Sequence, residues 1–398
     1  MKRKIGCLLI VLCILSNISA QDNFFHYASA VWIENNGNGQ FYNIYSISTT
    51  TSGHTYTAQE NAIEQGGGNW QSALFQDRDF GSHAANSHSL IFRGAEVKTY
   101  KKNPGNVCSA KVFYVVYPQG QRPVSPTFTE HNIAWFDNCD LSQYKFPDLP
   151  GDGPCNESGY QKWQSWASGG VGHLTENTVL DLTQMKEGKY TLELYYQVNG
   201  SNTVPNECSE TVYINNGGNN YKANFTVCPV ISLASVVQPS SCGGNGQIIL
   251  TTAGIENGIY NQFYYTDASD VIHSFGNVQL INNSATLTVP AGVYKDIRYV
   301  SSVSGCSPSI AGNVTLQDPP LPQITGITQS NVQCFGDSSG WIEVSVSGGS
   351  GQYFFSRDGG INYTSESHTS PYKFENLPAG NYNIQVKDTK GCVANNCP

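Results

Sequence analysis

The chain has 398 residues, only 13% of them charged, and a net charge of −9. An acidic chain is a poor match for nucleic acid or an anionic membrane surface, so neither is expected as a partner. With 40 glycines and 12% aromatic residues, the composition is typical of turn-rich extracellular β-structure, because glycine tolerates positive φ and aromatic side chains fill pleated faces.

Residues 1–20 have the pattern of a secretory signal peptide. Three basic residues at positions 2 to 4 precede an apolar run over residues 5–15, and Ala20 ends a small-residue cleavage point. The apolar run is too short to span a bilayer. We expect a mature chain that begins at Gln21, is extracellular or held at the cell surface, and does not insert in the membrane.

The region 22–228 predicts an N-terminal β-sandwich-like domain. Its aromatic and β-branched runs are separated by Gly, Asn or Pro clusters, as strands are. A capping-box pattern over residues 57–65 predicts one or two helical turns. The predicted strands are 27–33, 42–50, 88–93, 111–117, 190–198, 210–214 and 221–227.

Cysteines of this region suggest two disulfides. Residues 211–216 and 220–227 flank a Gly-Gly-Asn turn and predict a hairpin, across which Cys208 and Cys228 would face each other. Cys139 and Cys155 enclose a loop rich in Pro, Gly and Asp, which a bond would stabilise by about 3 kcal/mol. Cys108 is then a buried thiol, or the assignment of Cys208 is wrong.

Residues 229–317 predict an Ig-like module. This module starts near Cys242-Gly-Gly, contains Val-Pro-Ala-Gly-Val-Tyr ending at Tyr294, and closes with Gly-Cys306. The same order recurs later as Cys334-Phe-Gly, Leu-Pro-Ala-Gly-Asn-Tyr382 and Gly-Cys392, which indicates an internal repeat. A Pro-rich stretch over 318–322 predicts a short, stiff linker between the copies.

Residues 323–398 form the second copy. Ile342, Val344 and Val346 alternate with polar or amphipathic neighbours, as in a half-buried strand. A second alternating run follows at 382–387, and the cysteines Cys334 and Cys392 suggest a module stapled end to end. The final Asn-Cys-Pro echoes the Val-Cys-Pro at 227–229, so we expect further repeats or a sorting domain beyond Pro398.

This second copy resembles the SprB repeat of large surface adhesins in gliding bacteria of the Bacteroidetes type. The resemblance covers residues 334–392 and is carried by Cys-x-Gly, a Gly-Gly-x-Gly turn at 348–351, Phe-x-Asn-Leu-x-Ala-Gly-x-Tyr ending at Tyr382, and a closing Asp-x-x-Gly-Cys. It implies an extracellular, non-catalytic, adhesive or stalk-forming role, with gliding motility and type IX secretion as its setting. It supplies no catalytic residues. The first copy lacks the Gly-Gly-x-Gly turn and the closing Asp.

Three tyrosines follow a Gly-x-Tyr pattern: Tyr190, Tyr294 and Tyr382. In β-sandwiches, a tyrosine near the start of a late strand often turns its hydroxyl onto the backbone at a sheet corner. We interpret all three as structural tyrosines of this kind, with ligand contact as the alternative.

The clearest candidate ligand surface is an aromatic platform of Trp135, Tyr160, Trp163 and Trp166. Exposed aromatic faces with nearby amides suit sugar rings. The alternative is that these side chains belong to the core of the N-terminal domain.

Metal binding and catalysis find little support. Four aspartates at positions 137, 140, 148 and 152 could bind Ca²⁺ weakly, although turn formation is the commoner reason for such a cluster. No other cofactor is expected. The sequence has no His-Glu-x-x-His and no phosphate-cradling glycine loop, so we do not expect an enzyme.

The sequence as a whole therefore predicts an all-β secreted or cell-surface protein in which two Ig-like modules space an N-terminal binding domain. Its partner would be an extracellular surface or a polysaccharide. The main alternative is a carbohydrate-binding module of a polysaccharide-degrading system. The oligomeric state cannot be read from the sequence.

Overall fold

A computed structural model describes residues 24–44, 73–101, 103–138, 160–164, 178–203 and 207–394. The chain divides into two compact units, residues 1–227 and 228–398. In the described residues, helix is limited to two 3-10 turns, Leu182–Gln184 and Asn216–Gly218. None of the described helices is long and apolar enough to cross a membrane. The signal peptide, the 57–65 helix and the Cys139–Cys155 loop lie outside the described residues.

Twelve strands make up the described part of the first unit. They are β1 (Phe24–Asn35), β2 (Asn38–Ile44), β3 (Ala73–Leu74), β4 (Arg78–Ala84), β5 (Leu90–Lys101), β6 (Asn106–Pro118), β7 (Thr129–Asn138), β8 (Tyr160–Gln164), β9 (Leu180–Asp181), β10 (Gly188–Ser201), β11 (Glu210–Ile214) and β12 (Tyr221–Cys228).

These strands form one sheet in the order β3-β2-β1-β5-β8-β7-β6-β10-β12-β4, with β9 paired to β5 and β11 to β10. The long strands β1, β5 and β10 bury consecutive residues, as in Ser29 to Ile33 of β1. A strand with one solvated face would alternate buried and exposed residues, so both faces of the sheet are covered here. The core therefore lies on both sides of these three strands.

The predicted 211–227 hairpin is wrong. Both β11 and β12 pair with β10, one after the other along the same edge, and not with each other. The 3-10 turn Asn216–Gly218, in which Gly217 has a φ of 64°, carries the chain from one pairing to the next. The sequence pattern of two strands around a glycine turn is the same in both arrangements. What differs is the 14-residue length of β10, which accommodates both partners.

The second unit begins with an Ig-like β-sandwich, here called the first module. Its two antiparallel sheets have the orders β13-β14-β19-β18-β15 and β17-β16-β20-β21. Ile248 and Leu287 of one sheet and Phe263 and Tyr299 of the other share one buried core. The strands are β13 (Val230–Val237), β14 (Asn245–Ala253), β15 (Gly258–Tyr260), β16 (Phe263–Thr266), β17 (Ile272–Ser274), β18 (Val278–Ile281), β19 (Ser284–Pro290), β20 (Gly292–Tyr299) and β21 (Asn313–Leu316).

The second module is a smaller sandwich of the same kind. It pairs β22-β23-β25 in one sheet and β24-β26 in the other. Ile342, Val344 and Val346 face the core, as their alternation predicts, and meet Phe355 and Val386 from the opposite sheet. The strands are β22 (Pro322–Ser330), β23 (Gly340–Gly348), β24 (Tyr353–Ser356), β25 (Tyr372–Leu377) and β26 (Gln385–Asp388).

Strand register shows that the two modules share one plan. Gly246 opposes Val289 in the first module, and Gly340 opposes Leu377 in the second. Val289 and Leu377 each immediately precede a Pro-Ala-Gly-x-Tyr segment. The internal repeat recognised in the sequence is therefore also a repeat of backbone pairing.

Candidate functional site

The feature of the second unit with the clearest functional meaning is a disulfide between its modules. Cys242 in the first module bonds Cys392 in the second, with 5.0 Å between their Cα atoms. A covalent bond between two folded modules restricts their relative motion in a way that a linker alone does not. We call the region around this bond the inter-module junction.

Hydrogen bonds support the same junction. The backbone N–H of Cys242 donates to the carbonyl oxygen of Lys390 at 3.0 Å, and the N–H of Gly243 donates to the Asp318 carboxylate at 3.1 Å. Asp318 belongs to the predicted Pro-rich linker. The turn at Cys242 is thus held by the linker and by the closing turn of the second module together.

Asp388 builds the closing turn that presents Cys392. Its carboxylate is 1% exposed and accepts backbone N–H groups from Lys390, Cys392 and Ser350, each at 2.9 Å. A buried carboxylate is stable when such bonds satisfy its oxygens. The Asp of the Asp-x-x-Gly-Cys motif therefore fixes the direction of Cys392 toward Cys242.

The Gly-Gly-x-Gly turn fits around the same carboxylate. Gly348, Gly349 and Gly351 all have positive φ, which other residues adopt only with strain. A Cβ atom on Gly349 would lie 2.9 Å from Oδ2 of Asp388. The two motifs of the second module therefore form one structural unit that ends at the junction.

The disulfide pairings differ from those predicted. Cys208 bonds Cys108, not Cys228, because β11 continues along β10 and places Cys208 beside the start of β6, far from the end of β12. Cys228 instead bonds Cys306. The other pairing predicted for the first unit, Cys139 with Cys155, lies outside the described residues.

The predicted end-to-end staple of the second module is also wrong. Cys392 is bonded to Cys242, so Cys334 and Cys392 do not form a pair. Cys334 is an exposed free thiol. The two copies do have similar cysteine spacing, but the one bond that Cys392 makes runs between the repeats.

All three Gly-x-Tyr tyrosines place their hydroxyls on the backbone. Tyr190, Tyr294 and Tyr382 donate to the carbonyl oxygen four residues earlier, at 2.9, 2.6 and 2.8 Å. Burial raises the pKa of Tyr294 to about 12. Tyr260 makes the same bond to Glu256 at 2.9 Å and was missed, although Gly258 supplies the same signal.

A buried charged cluster in the first unit was also missed. Glu193 on β10 is 0% exposed, and its carboxylate accepts two bonds from Arg122, at 2.7 and 2.8 Å. Tyr117 and Asn220 donate to the same carboxylate at 2.5 and 2.7 Å. Burial alone raises the pKa of Glu193, but these bonds outweigh it and hold the pKa below its ordinary value. Because four hydrogen bonds from protein groups satisfy this buried carboxylate, we assign the cluster a structural role.

One member of the predicted aromatic platform, Trp163, is buried and does not fit that prediction. Trp163 is 5% exposed, and its Nε1 donates to the hydroxyl of Thr99 at 3.0 Å, so it is a core residue that cannot stack on a sugar. The structure describes Trp135 and Tyr160 by their backbone alone, and Trp166 lies outside the described residues. The backbone of Trp135 pairs with that of Trp163 between β7 and β8.

The weak Ca²⁺ hypothesis is not tested by the structure. Three of the four aspartates lie outside the described residues, and Asp137 is described by its backbone alone. Within the described ranges, no group of three or more His, Cys, Asp or Glu side chains is arranged to hold a metal ion.

A model of the SprB repeat family matches residues 326–360. The matched segment contains most of β22, all of β23 and β24, and the Gly-Gly-x-Gly turn. This match agrees with the resemblance recognised in the sequence, and it concerns that segment of the chain. Among curated proteins, no relative matches the chain.

Several solved structures are similar to the chain. The eight N-terminal Ig domains of Down syndrome cell adhesion molecule match at 10% identity, with 80% of this chain and 35% of that chain covered and a TM-score of 0.27. The mouse nectin-like molecule 4 ectodomain matches at 14% identity, with 80% and 95% covered and a TM-score of 0.22. Immunoglobulin domains 1–5 of Sidekick-1 match at 8% identity, with 94% of each chain covered and a TM-score of 0.22. At these identities and TM-scores, the likenesses carry no argument about function.

Proposed function

We propose that this protein is a secreted or cell-surface structural adhesin, in which disulfide-linked sandwich modules act as a spacer for the N-terminal domain. The SprB repeat match at 326–360 supports a repeat protein of the surface type. The three disulfides among the described residues are consistent with an oxidising, extracellular compartment. No catalytic role is part of the proposal.

The observation that carries the proposal is the Cys242–Cys392 bond between successive modules. An enzyme or a single binding module gains little from joining two sandwiches covalently. A spacer gains resistance to bending and to force, because the modules cannot separate without breaking a covalent bond. Adhesion would then come from many copies acting together, since multivalent attachment raises avidity without a deep pocket.

The proposal includes finer elements that the resemblance implies. The chain would be exported with residues 1–20 as its signal peptide, through a type IX secretion route in a gliding bacterium of the Bacteroidetes type. Its partner would be an extracellular surface or a polysaccharide. We place the binding function in the N-terminal domain, residues 22–228, because its size and loop content exceed what a spacer needs.

The test is attachment under flow. Beads coated with the full chain should stay attached to glass and to a polysaccharide film at shear that removes beads coated with an unrelated protein of similar charge. Beads that detach like the control contradict an adhesive role. Attachment only to the polysaccharide film, abolished by the free polysaccharide, supports the carbohydrate-binding alternative.

A further inference from the structure

The turn before the central strand of each module carries a cysteine at the same structural position. Val237 pairs with Gln247 in the first module, just as Ser330 pairs with Trp341 in the second. These pairs flank the turns that contain Cys242 and Cys334. The register therefore makes Cys334 the counterpart of Cys242, independently of the sequence motif.

The two turns have different surroundings. Cys242 is half-buried, bonded to Cys392 and covered by the linker and the closing turn of the following module. Cys334 is exposed and free, and the neighbouring Phe335 is fully exposed. Aromatic residues are enriched in the cores of interfaces.

A groove lies on the module beside this turn. It has a volume of about 230 Å³ and includes Val332, Trp341, Leu377 and Tyr382 in its lining. The turn and the groove together offer a partly apolar surface next to a reactive atom. In the first module, the Cys242 turn contacts the second module, whereas the Cys334 turn of the second module faces solvent.

We propose that Cys334 is the attachment point for the closing cysteine of a further repeat module carried on the same chain. That module would dock its closing Gly-Cys turn on the Cys334 turn as the second module docks Gly391 and Cys392 on the Cys242 turn. The Cys242–Cys392 junction is the established interface that this one continues. The inference rests on the repeat geometry and does not depend on the adhesive role.

The chemistry is the oxidation of two thiols. The thiolate of one cysteine attacks a low-molecular-weight disulfide, such as oxidised glutathione, and releases one of its halves as a thiolate. The second cysteine then attacks the mixed disulfide and releases the other half. One protein disulfide forms, two protein thiols lose two electrons and two protons, and the oxidant becomes two thiols.

A tandem extension of the full chain tests the proposal. Residues 317–394 are repeated after Pro398, so that the chain gains one linker and one module with its own closing Gly-Cys. The protein is oxidised with a glutathione redox buffer, alkylated and mapped by non-reducing peptide mass spectrometry. The expected map joins Cys334 to the appended closing cysteine, and the appended counterpart of Cys334 becomes the new free thiol.

A Cys334→Ser variant of the extended chain is the matched control. It should leave the appended closing cysteine alkylated while the Cys242–Cys392 bond stays intact. The proposal is overturned if the closing cysteine pairs within its own module, if Cys334 stays alkylatable in the extended chain, or if Cys334 links two chains.

A second measurement uses the full chain without extension and keeps the test independent of how the extended chain folds. A peptide with the sequence of residues 386–394, activated on its cysteine as a thionitrobenzoate disulfide, exchanges with a thiol and releases a coloured thiolate. In a Cys397→Ser background, Cys334 should react about tenfold faster with this peptide than with a scrambled one, a difference of about 1.4 kcal/mol in activation free energy. Phe335→Ser should reduce the difference. Equal rates for the two peptides would overturn specific docking at this turn.

Discussion

At the residue scale, the Gly-x-Tyr pattern shows what a short motif can specify. The tyrosine ring folds back toward its own backbone and passes close to the glycine two residues earlier. A Cβ atom on Gly188 would lie 3.0 Å from the ring of Tyr190, which is a tight contact, whereas one on Gly292 would lie 3.6 Å from the hydroxyl of Tyr294, an ordinary van der Waals distance. The interaction is local, within four residues, which is why the sequence alone was enough to predict it.

Replacing Tyr294 by phenylalanine should lower the free energy of unfolding of the first module by about 1 kcal/mol. The change removes a 2.6 Å hydrogen bond from the hydroxyl of the buried Tyr294 to the carbonyl oxygen of Pro290. Urea unfolding monitored by fluorescence measures the effect. Tyr264→Phe, on a strand of the same module, is the matched control and should change stability by less. Equal losses in both variants would contradict the corner role.

The Glu193 cluster is the opposite case, because its members are far apart in sequence. Arg122 lies 71 residues before Glu193, and Asn220 lies 27 residues after it. No local pattern brings these residues together, and β10 reads as a strand whether or not one of its charges is buried. Only the pairing of β10 with β6 and β12 places the donors around the carboxylate.

Glu193 should make the stability of the first unit depend on pH. Its pKa is lower in the folded state, so its stabilisation is present above the ordinary value of 4.5 and is lost as the pH falls from there toward the folded pKa. Glu193→Gln should lose about 2 kcal/mol at neutral pH and should respond less to acid than the natural protein does. Urea unfolding at a neutral and an acidic pH measures both effects. The exposed Glu207→Gln is the control, and an unchanged acid response in Glu193→Gln would disprove the assignment.

At the element scale, strand existence was easier to predict than strand partners. The patterns at 190–198, 210–214 and 221–227 all correspond to strands, β10, β11 and β12. The alternation of apolar and polar residues indicates that one face of a strand is buried. It does not indicate which neighbouring strand pairs with each edge of that strand. The hairpin error followed from this limit, and the wrong Cys208 pairing followed from the hairpin.

The closing turn of the second module is an element whose stability depends on one side chain. Asp388→Asn keeps the size of the side chain but replaces one carboxylate oxygen by an NH₂ group. At least one of the three backbone N–H donors then faces another donor and loses its acceptor. We expect a loss of about 2 kcal/mol in the stability of the module and faster reduction of Cys392 by dithiothreitol. Thermal unfolding and timed alkylation measure the two effects. Asp337→Asn, an exposed aspartate that accepts from Ser338, is the control and should leave both nearly unchanged.

At the scale of the whole second unit, module boundaries and disulfide connectivity are separate questions. The sequence shows two copies with a cysteine near each start and a Gly-Cys near each end, and for the second copy it suggests a bond between Cys334 and Cys392. The structure joins the start of one copy to the end of the next. The cysteine spacing within a copy is the same whether the bonds form within copies or between them. Which bonds form therefore depends on how two copies pack together, and the sequence of one copy does not determine that.

The junction should make the two modules unfold together. With the Cys242–Cys392 bond intact, we expect calorimetry of the full chain to show one transition for residues 228–398. Replacing both cysteines by serine removes a cross-link of about 4 kcal/mol, so the transition should split and its first part should shift down by roughly 10 °C. The matched control replaces Cys228 and Cys306 by serine, which removes a disulfide but keeps the junction, and its two modules should still unfold together. A single undivided transition in the Cys242→Ser, Cys392→Ser protein would show that the linker and noncovalent contacts suffice to couple the modules, and it would contradict the proposed role of the disulfide in stiffening a spacer.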